Sequence, residues 1–249
     1  MNYKEYGKEH KDVIILLHGG GLNWWNYREE AEILKNNYHV IIPILDGHSG
    51  SNRPFSSIKE NADDIIRFID EQFGGKVLMM GGLSLGGQIL LETLSTRTDI
   101  CRYTIIESAM VIPSKTTHAL IRPALGCSYG LIKKRWFSKL QFNSLHIKPN
   151  LFEEYYRDTC KIKKEDYIAL LLANTEYTLQ DSIRNCTADI HIFFGQKEKA
   201  GIKKSAKAIH ETVPGSKVHV LPNLYHGEFS INHAKKYAGI IQKIIQSKT

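Results

Sequence analysis

Six short runs of apolar, largely β-branched residues punctuate the chain, at positions 13–17, 40–44, 77–80, 103–106, 190–194 and 218–221. Each is short and gives way to Gly, Pro or a polar turn, which predicts a buried strand rather than a helix. Between the runs the apolar residues switch to a helical period. Ala62, Ile65, Ile66, Ile69 and Phe73 make one stripe. Ser57 and Glu60 stand ahead of it at capping-box spacing, and Gly74-Gly75 end it. A last helix over 232–246 carries Ala234, Tyr237, Ala238, Ile241, Ile244 and Ile245 on one face. Strands that alternate with helices in this way predict an α/β fold, a mostly parallel central sheet with helices on both faces. About a dozen residues precede the run at 13–17, room for one edge strand at Tyr3–Tyr6.

The alternation lapses between 112 and 184. No strand pattern occurs there, helix-like stretches stand at 151–160 and 165–172, and apolar and aromatic residues mix with Lys and Arg. This reads as a helical insertion over the sheet edge, a cap at 112–184 on a core made of 1–111 and 185–249. The 249 residues, 42% of them hydrophobic, suffice for one such domain with a substantial core.

Composition narrows the possibilities. No apolar run reaches the roughly 18 residues of a membrane span, and the polar segment before position 13 has no signal-peptide core, so a cytoplasmic protein is expected. Cys101, Cys127, Cys160 and Cys186 show no CxxC or Cys/His cluster and are expected to be reduced, buried thiols, with no metal site. The net charge of +7 and pI near 9.1 raise nucleic acid as a partner. The basic runs are short, however, and no DNA- or RNA-binding motif accompanies them. A solvated basic surface is therefore expected instead, with attraction of an anionic substrate as its functional alternative.

The chemistry is concentrated where the run at 77–80 passes through Gly81-Gly82-Leu83-Ser84-Leu85-Gly86-Gly87 into a helical stretch. A G-x-S-x-G match gains meaning in this strand–turn–helix setting. The turn strains its central residue and needs small flanking residues, and it presents Ser84 at a helix N-terminus, where partial positive charge favours an oxyanion. Neither a G-x-G-x-x-G nor a Walker spacing is present, so a phosphate-cradling loop is a weak reading. His18-Gly19-Gly20-Gly21 follows the first core run and is the kind of loop that lends an amide to an oxyanion hole. The expected donors are the amides of Gly20 and Leu85. His18 itself reads as structural.

With these motifs the chain resembles the α/β-hydrolase superfamily, the broad group of esterases, lipases and C–C hydrolases, over nearly its whole length. The resemblance implies a triad in the order Ser, acid, His, with the acid after a late strand and the histidine after the final one. His226, in the loop beyond 218–221, matches the base; His210, His219 and His233 lie in helix- or strand-like stretches and fit poorly. Glu198, after Phe193-Phe194-Gly195, stands where members often carry Asp and is the preferred acid. Glu107 is its competitor, because some members carry the acid after the preceding strand. The chain departs from the family at positions 43–51. There the usual P-D-x-x-G-H-G-x-S reads Pro43-Ile44-Leu45-Asp46-Gly47-His48-Ser49-Gly50-Ser51, a change expected to bear on pocket form.

The implied activity is cofactor-free hydrolysis of a small carboxylic ester or thioester through an acyl-enzyme. C–C cleavage, lactone and amide hydrolysis are alternatives that the same triad would serve, and a non-catalytic ligand receptor is the alternative from another class. Trp24 and Trp25 are candidates either for pocket lining or for ordinary core packing.

Overall fold

Alternation along the strand Val13–Leu17 sends Ile14 and Leu16 to one side and Val13, Ile15 and Leu17 to the other, and all five are buried. A strand apolar on both faces must be covered on both, which dictates a helix–sheet–helix sandwich. The computed structural model, which describes residues 1–247, has that architecture. Its strands are β1 (Tyr3–Tyr6), β2 (Val13–Leu17), β3 (His39–Pro43), β4 (Val77–Leu83), β5 (Cys101–Glu107), β6 (Asp189–Gly195) and β7 (Lys217–Leu221). They form one sheet in the order β1-β3-β2-β4-β5-β6-β7, with β1 antiparallel to β3 and the other pairs parallel.

The helices are α1 (Arg28–Leu34), α2 (Ile58–Phe73), α3 (Leu85–Thr96), α4 (Lys115–Ile132), α5 (Arg135–Ser144), α6 (Phe152–Thr159), α7 (Lys164–Glu176), α8 (Ala200–Thr212), α9 (Glu228–Asn232) and α10 (Ala234–Gln246). One face of the sheet is covered by α2, α3 and α8, the other by α1, α9 and α10. At the start of α2 the Ser57 hydroxyl accepts the Glu60 amide at 3.0 Å, and Gly74 at φ 64° ends the helix.

Three local details add to or change the expectation. The expected terminal helix stands as α10, and a short helix that the sequence pattern did not predict, α9, precedes it, the two separated by His233 at φ −123°, ψ 43°. Strand β4 continues through both glycines to Leu83, since Gly82 still pairs with Leu17 and Leu83 with Glu107. Of the thiols, Cys101 is buried but Cys127 is exposed and Cys160 and Cys186 are half-buried; all four are free. Cys127 faces outward because α4 buries Ile121, Leu125 and Ile132 instead.

The segment between β5 and β6 contributes to both cores. Ile162, Leu170 and Ile183 join the cluster under α2 and α3, whereas Phe142, Leu151 and Phe152 join the cluster under α1 and α10. A methyl group on Gly20 would lie 3.5 Å from Leu170 and one on Gly21 3.7 Å from Tyr167, so α7 lies directly over the glycine loop after β2.

Close backbone approaches join β4 to α3 and α3 to the end of β2. A Cβ at Gly82 would collide with the Gly86 carbonyl, and one at Gly86 with the carbonyl oxygens of Leu17 and His18. These obstacles are main chain and cannot rotate away. Gly86→Ala should therefore lower stability by about 1–3 kcal/mol, read as a lower urea midpoint with an unchanged slope. An unchanged midpoint would mean that the turn has room to spare.

Candidate active site

Ser84 stands between β4 and α3, as the residue that caps the helix, with φ 52° and ψ −111°, a conformation that L-residues avoid. Its amide donates to the Glu107 carbonyl at 2.8 Å, which ties the turn to the neighbouring strand. Leu85 is the first residue of α3, whose opening amides have no partner within the helix. Gly20 lies against it, since a methyl group on Gly20 would stand 3.3 Å from the Leu85 side chain. The two expected oxyanion donors are thus neighbours.

Two buried histidines position the glycine loop. His18 Nε2 accepts the Leu45 amide at 3.2 Å, and its Nδ1 faces the Gly19 carbonyl at 3.0 Å. His48 Nε2 accepts the Gly21 amide at 3.0 Å while its Nδ1 faces the Asp46 carbonyl at 3.0 Å. Each imidazole uses one nitrogen as acceptor and the other as donor, the pattern of the neutral ring. Burial, chiefly, holds both below the ordinary histidine range, and the His48 charge adds to the effect on His18. His18 is structural, as expected. His48 was not anticipated in this role, although its retention with Gly47 in an otherwise altered loop was a visible signal.

His226 stands beyond β7, just before Gly227, which takes φ 67° against Leu83. Its Nε2 lies 3.1 Å from Ser84 Oγ and its Nδ1 2.8 Å from Glu198 Oε2. The Glu198 side chain is fully buried, whereas 46% of the His226 side chain is exposed. The second Glu198 oxygen accepts the Ser108 hydroxyl at 2.6 Å and the Gly195 amide at 3.0 Å. Burial pushes this carboxyl up, but the hydrogen bond and charge of His226 and the bonds from Ser108 and Gly195 outweigh it. The net result holds Glu198 below the usual carboxylate value. Ser108, at φ 56° directly after β5, escaped the sequence reading because a lone serine carries no motif.

Glu107 does not meet His226. Its Oε1 accepts the Ser230 amide at 3.3 Å, and its Oε2 has no hydrogen-bond partner. Burial pushes its carboxyl up to about 7 against the lowering effect of Ser230, and the Glu198 charge adds to the rise. The other rejected histidines lie elsewhere: His210 bonds Ser216, His219 stacks on His191, and His233 precedes α10. Trp25 is buried with its indole N–H on Asp158 at 3.0 Å, Trp24 carries the cations of Lys4 and Arg28 over its ring, and neither tryptophan lines the cleft at Ser84.

A cleft of about 70 Å³ opens at Ser84 and His226, walled by Leu22, Leu145, Ile147 and Ile231 with Gly20 at its floor. A larger cleft of about 320 Å³ lies at the opposite ends of β5 and β6, beside Arg102 and Asp189, away from Ser84. Its larger volume does not make it the better candidate: Ser216 in its wall bonds His210 at 3.0 Å, but that hydroxyl donates to the Val213 carbonyl at 2.9 Å, and among the described residues no carboxylate stands at ion-pair distance from His210.

The raised Glu107 carboxyl has a consequence for stability. Between pH about 4.5 and about 7 the unfolded chain releases this proton while the folded chain keeps it, so stability falls as pH rises and levels off above about 7. Relative to Glu107→Gln, the wild type should lose on the order of 3 kcal/mol across that window. Urea midpoints of both proteins from pH 4 to 8 check this, and parallel profiles would refute it.

Comparison with known proteins bears on the fold and the family. The family model described as serine aminopeptidase, S33, matches residues 8–230. The uncharacterized hydrolase YugF of Bacillus subtilis is 20% identical over 236 residues, 90% of this chain and 86% of that protein. A thermophilic esterase from Thermogutta terrifontis superposes with a TM-score of 0.80 at 18% identity, covering 99% of this chain and 93% of the other. The enol-lactonase from Burkholderia xenovorans LB400 superposes at 0.82 and 14% identity, covering 98% and 95%. At such identities the superpositions speak for the fold, and the family match speaks for descent. A seven-stranded, mostly parallel sheet and a family match over most of the length lead to one conclusion: the chain belongs to the serine aminopeptidase S33 family of α/β hydrolases.

Proposed function

We propose that the protein is a serine hydrolase that cleaves small carboxylic esters or thioesters through an acyl-enzyme on Ser84. The observation that carries this reading is the unbroken relay Ser84–His226–Glu198, with contacts of 3.1 and 2.8 Å. In the first half-reaction Ser84 Oγ attacks the carbonyl carbon and His226 Nε2 takes the hydroxyl proton. Glu198 holds the Nδ1 proton in place and stabilises the imidazolium that forms. The amides of Gly20 and Leu85 receive the developing oxyanion. His226 then protonates the departing alcohol or thiol. In the second half-reaction it takes a proton from the water that attacks the acyl carbon and returns it to Ser84 Oγ as the acyl–oxygen bond breaks and the acid leaves.

The wall of the cleft favours an ester over a peptide. An enzyme that trims peptides from the amino end needs a carboxylate for the substrate ammonium. The cleft is lined by aliphatic residues, glycines, Ser84 and His226. Glu198 is already engaged by three donors. A lactone would fit the same machinery, its alcohol staying tethered to the acyl group. A passive ligand receptor would need no aligned proton relay, which weighs against that reading.

Turnover of p-nitrophenyl acetate tests the assignment. Ser84→Ala and His226→Ala should each lower kcat by at least about 10⁴-fold, and Glu198→Gln by about 10³–10⁴-fold. Glu107→Gln, outside the relay, should stay within about threefold of wild type. A crippled Glu107→Gln beside an active Glu198→Gln would reverse the choice of acid.

The cleft volume also bounds the acyl group, since pockets for larger ligands run to roughly 300 Å³ or more. Acetyl and propionyl esters should exceed decanoyl esters in kcat/KM by at least about tenfold. A preference for the long chain would show that the pocket opens well beyond this cleft.

A further inference from the structure

The charge of the chain is unevenly distributed. No Asp or Glu occurs between Glu107 and Glu153, while seven Lys and Arg residues run from Lys115 to Lys148. The other 26 basic residues are matched by 26 acidic ones, so the whole net charge of +7 resides in positions 108–152. Arg135 pairs with Glu153 and Lys148 with Glu29, both from outside the stretch. Among the described residues no carboxylate stands at ion-pair distance from Lys115, Arg122, Lys133, Lys134 or Lys139.

The same stretch exposes apolar surface. Because α4 buries Ile121, Leu125 and Ile132, the stripe one position behind, Leu120, Ala124, Cys127 and Leu131, faces outward and is exposed. A Cβ on Gly126 or Gly130 would meet nothing within 4 Å. Helix α5 adds Trp136 and Leu140, one turn apart. At 66%, 63% and 59% exposed, Trp136, Leu140 and Leu120 are the three most exposed large apolar side chains among the described residues.

We propose that the α4–α5 face docks the protein onto an anionic lipid surface, with Trp136, Leu140 and the α4 stripe entering the headgroup boundary and the lysines and arginine that lack a carboxylate partner meeting lipid phosphates. Leucines and a tryptophan set among cations with long aliphatic stems suit that boundary, apolar below and charged above. Pairing with a second copy is disfavoured, since a two-fold contact would press like charges together. Nucleic acid is disfavoured too, because exposed leucines neither stack on bases nor bond phosphates. No helix of the described residues is long and apolar enough to cross a membrane, so attachment would be to the surface. This inference is independent of the chemistry proposed for Ser84.

Vesicle flotation of the full chain tests it. Binding to vesicles containing phosphatidylglycerol should be at least about tenfold tighter than to phosphatidylcholine alone and should weaken with added salt. Lys133→Glu with Lys134→Glu should cost about fivefold or more per position, and Trp136→Ser with Leu140→Ser about tenfold or more. All these positions are exposed, so urea midpoints should match wild type. The control Lys203→Glu with Lys204→Glu, on exposed α8, should bind as wild type does. Equal binding to both vesicles, or an equal loss in the α8 control, would overturn the proposal. So would lipid-free dimerisation abolished by Trp136→Ser, or tighter binding to a random DNA duplex than to the anionic vesicles.

Discussion

A serine held at φ 52° costs on the order of 1–3 kcal/mol, and the rest of the site is arranged around keeping it there. The turn closes only because Gly86 packs against the Leu17 carbonyl and Gly82 against Gly86. That contact joins β4, α3 and the end of β2 in one small volume. Since the glycine loop leaves β2 directly after Leu17, the same contact brings Gly20 beside Leu85. The Ser84 amide, bonded to the Glu107 carbonyl, adds β5 to the assembly, and the next residue, Ser108, holds Glu198. One strained residue thus sets the spacing of four chain segments.

Two buried carboxyls near His226 have opposite electrostatic fates. Glu198 receives bonds from His226, Ser108 and Gly195 and is held as the anion despite burial. Glu107 receives one long bond from the Ser230 amide and is pushed toward the neutral acid. Both are buried, so the hydrogen bond and charge of His226, with the donors Ser108 and Gly195 behind them, hold one down while the other, with Ser230 alone, is left raised. A single carboxylate, that of Glu198, touches His226, and the second glutamate sits close to the pair with its hydrogen bond turned to Ser230 instead.

Much of this was legible in the sequence because it rests on local patterns. All six apolar runs form strands, and the Ser57 cap and Gly74 stop act as their types demand. Ser84, Gly20, Leu85, His226 and Glu198 come together because each follows a strand of a parallel sheet, whose carboxyl ends share one edge. What was hidden depends on contacts between distant segments. Ser108 reaches Glu198 across ninety positions, and His48 meets Gly21 across twenty-seven. The outward turn of Cys127 and the break at His233 are set by which face of a helix finds a partner, and by a backbone angle that the apolar period does not reveal.

The relay and the basic, apolar α4–α5 face are separate features of the molecule, though Leu145 and Ile147 carry the acid-free stretch from that face into the cleft wall. The central claim is that Ser84 is a nucleophile activated by His226. Its most direct test is reaction of the folded protein with a fluorophosphonate at neutral pH, followed by peptide mapping. The account predicts one label per chain, on the peptide bearing Ser84, and a labelling rate that collapses in His226→Ala. An unlabelled wild-type protein, or a label placed on any other residue, would contradict it.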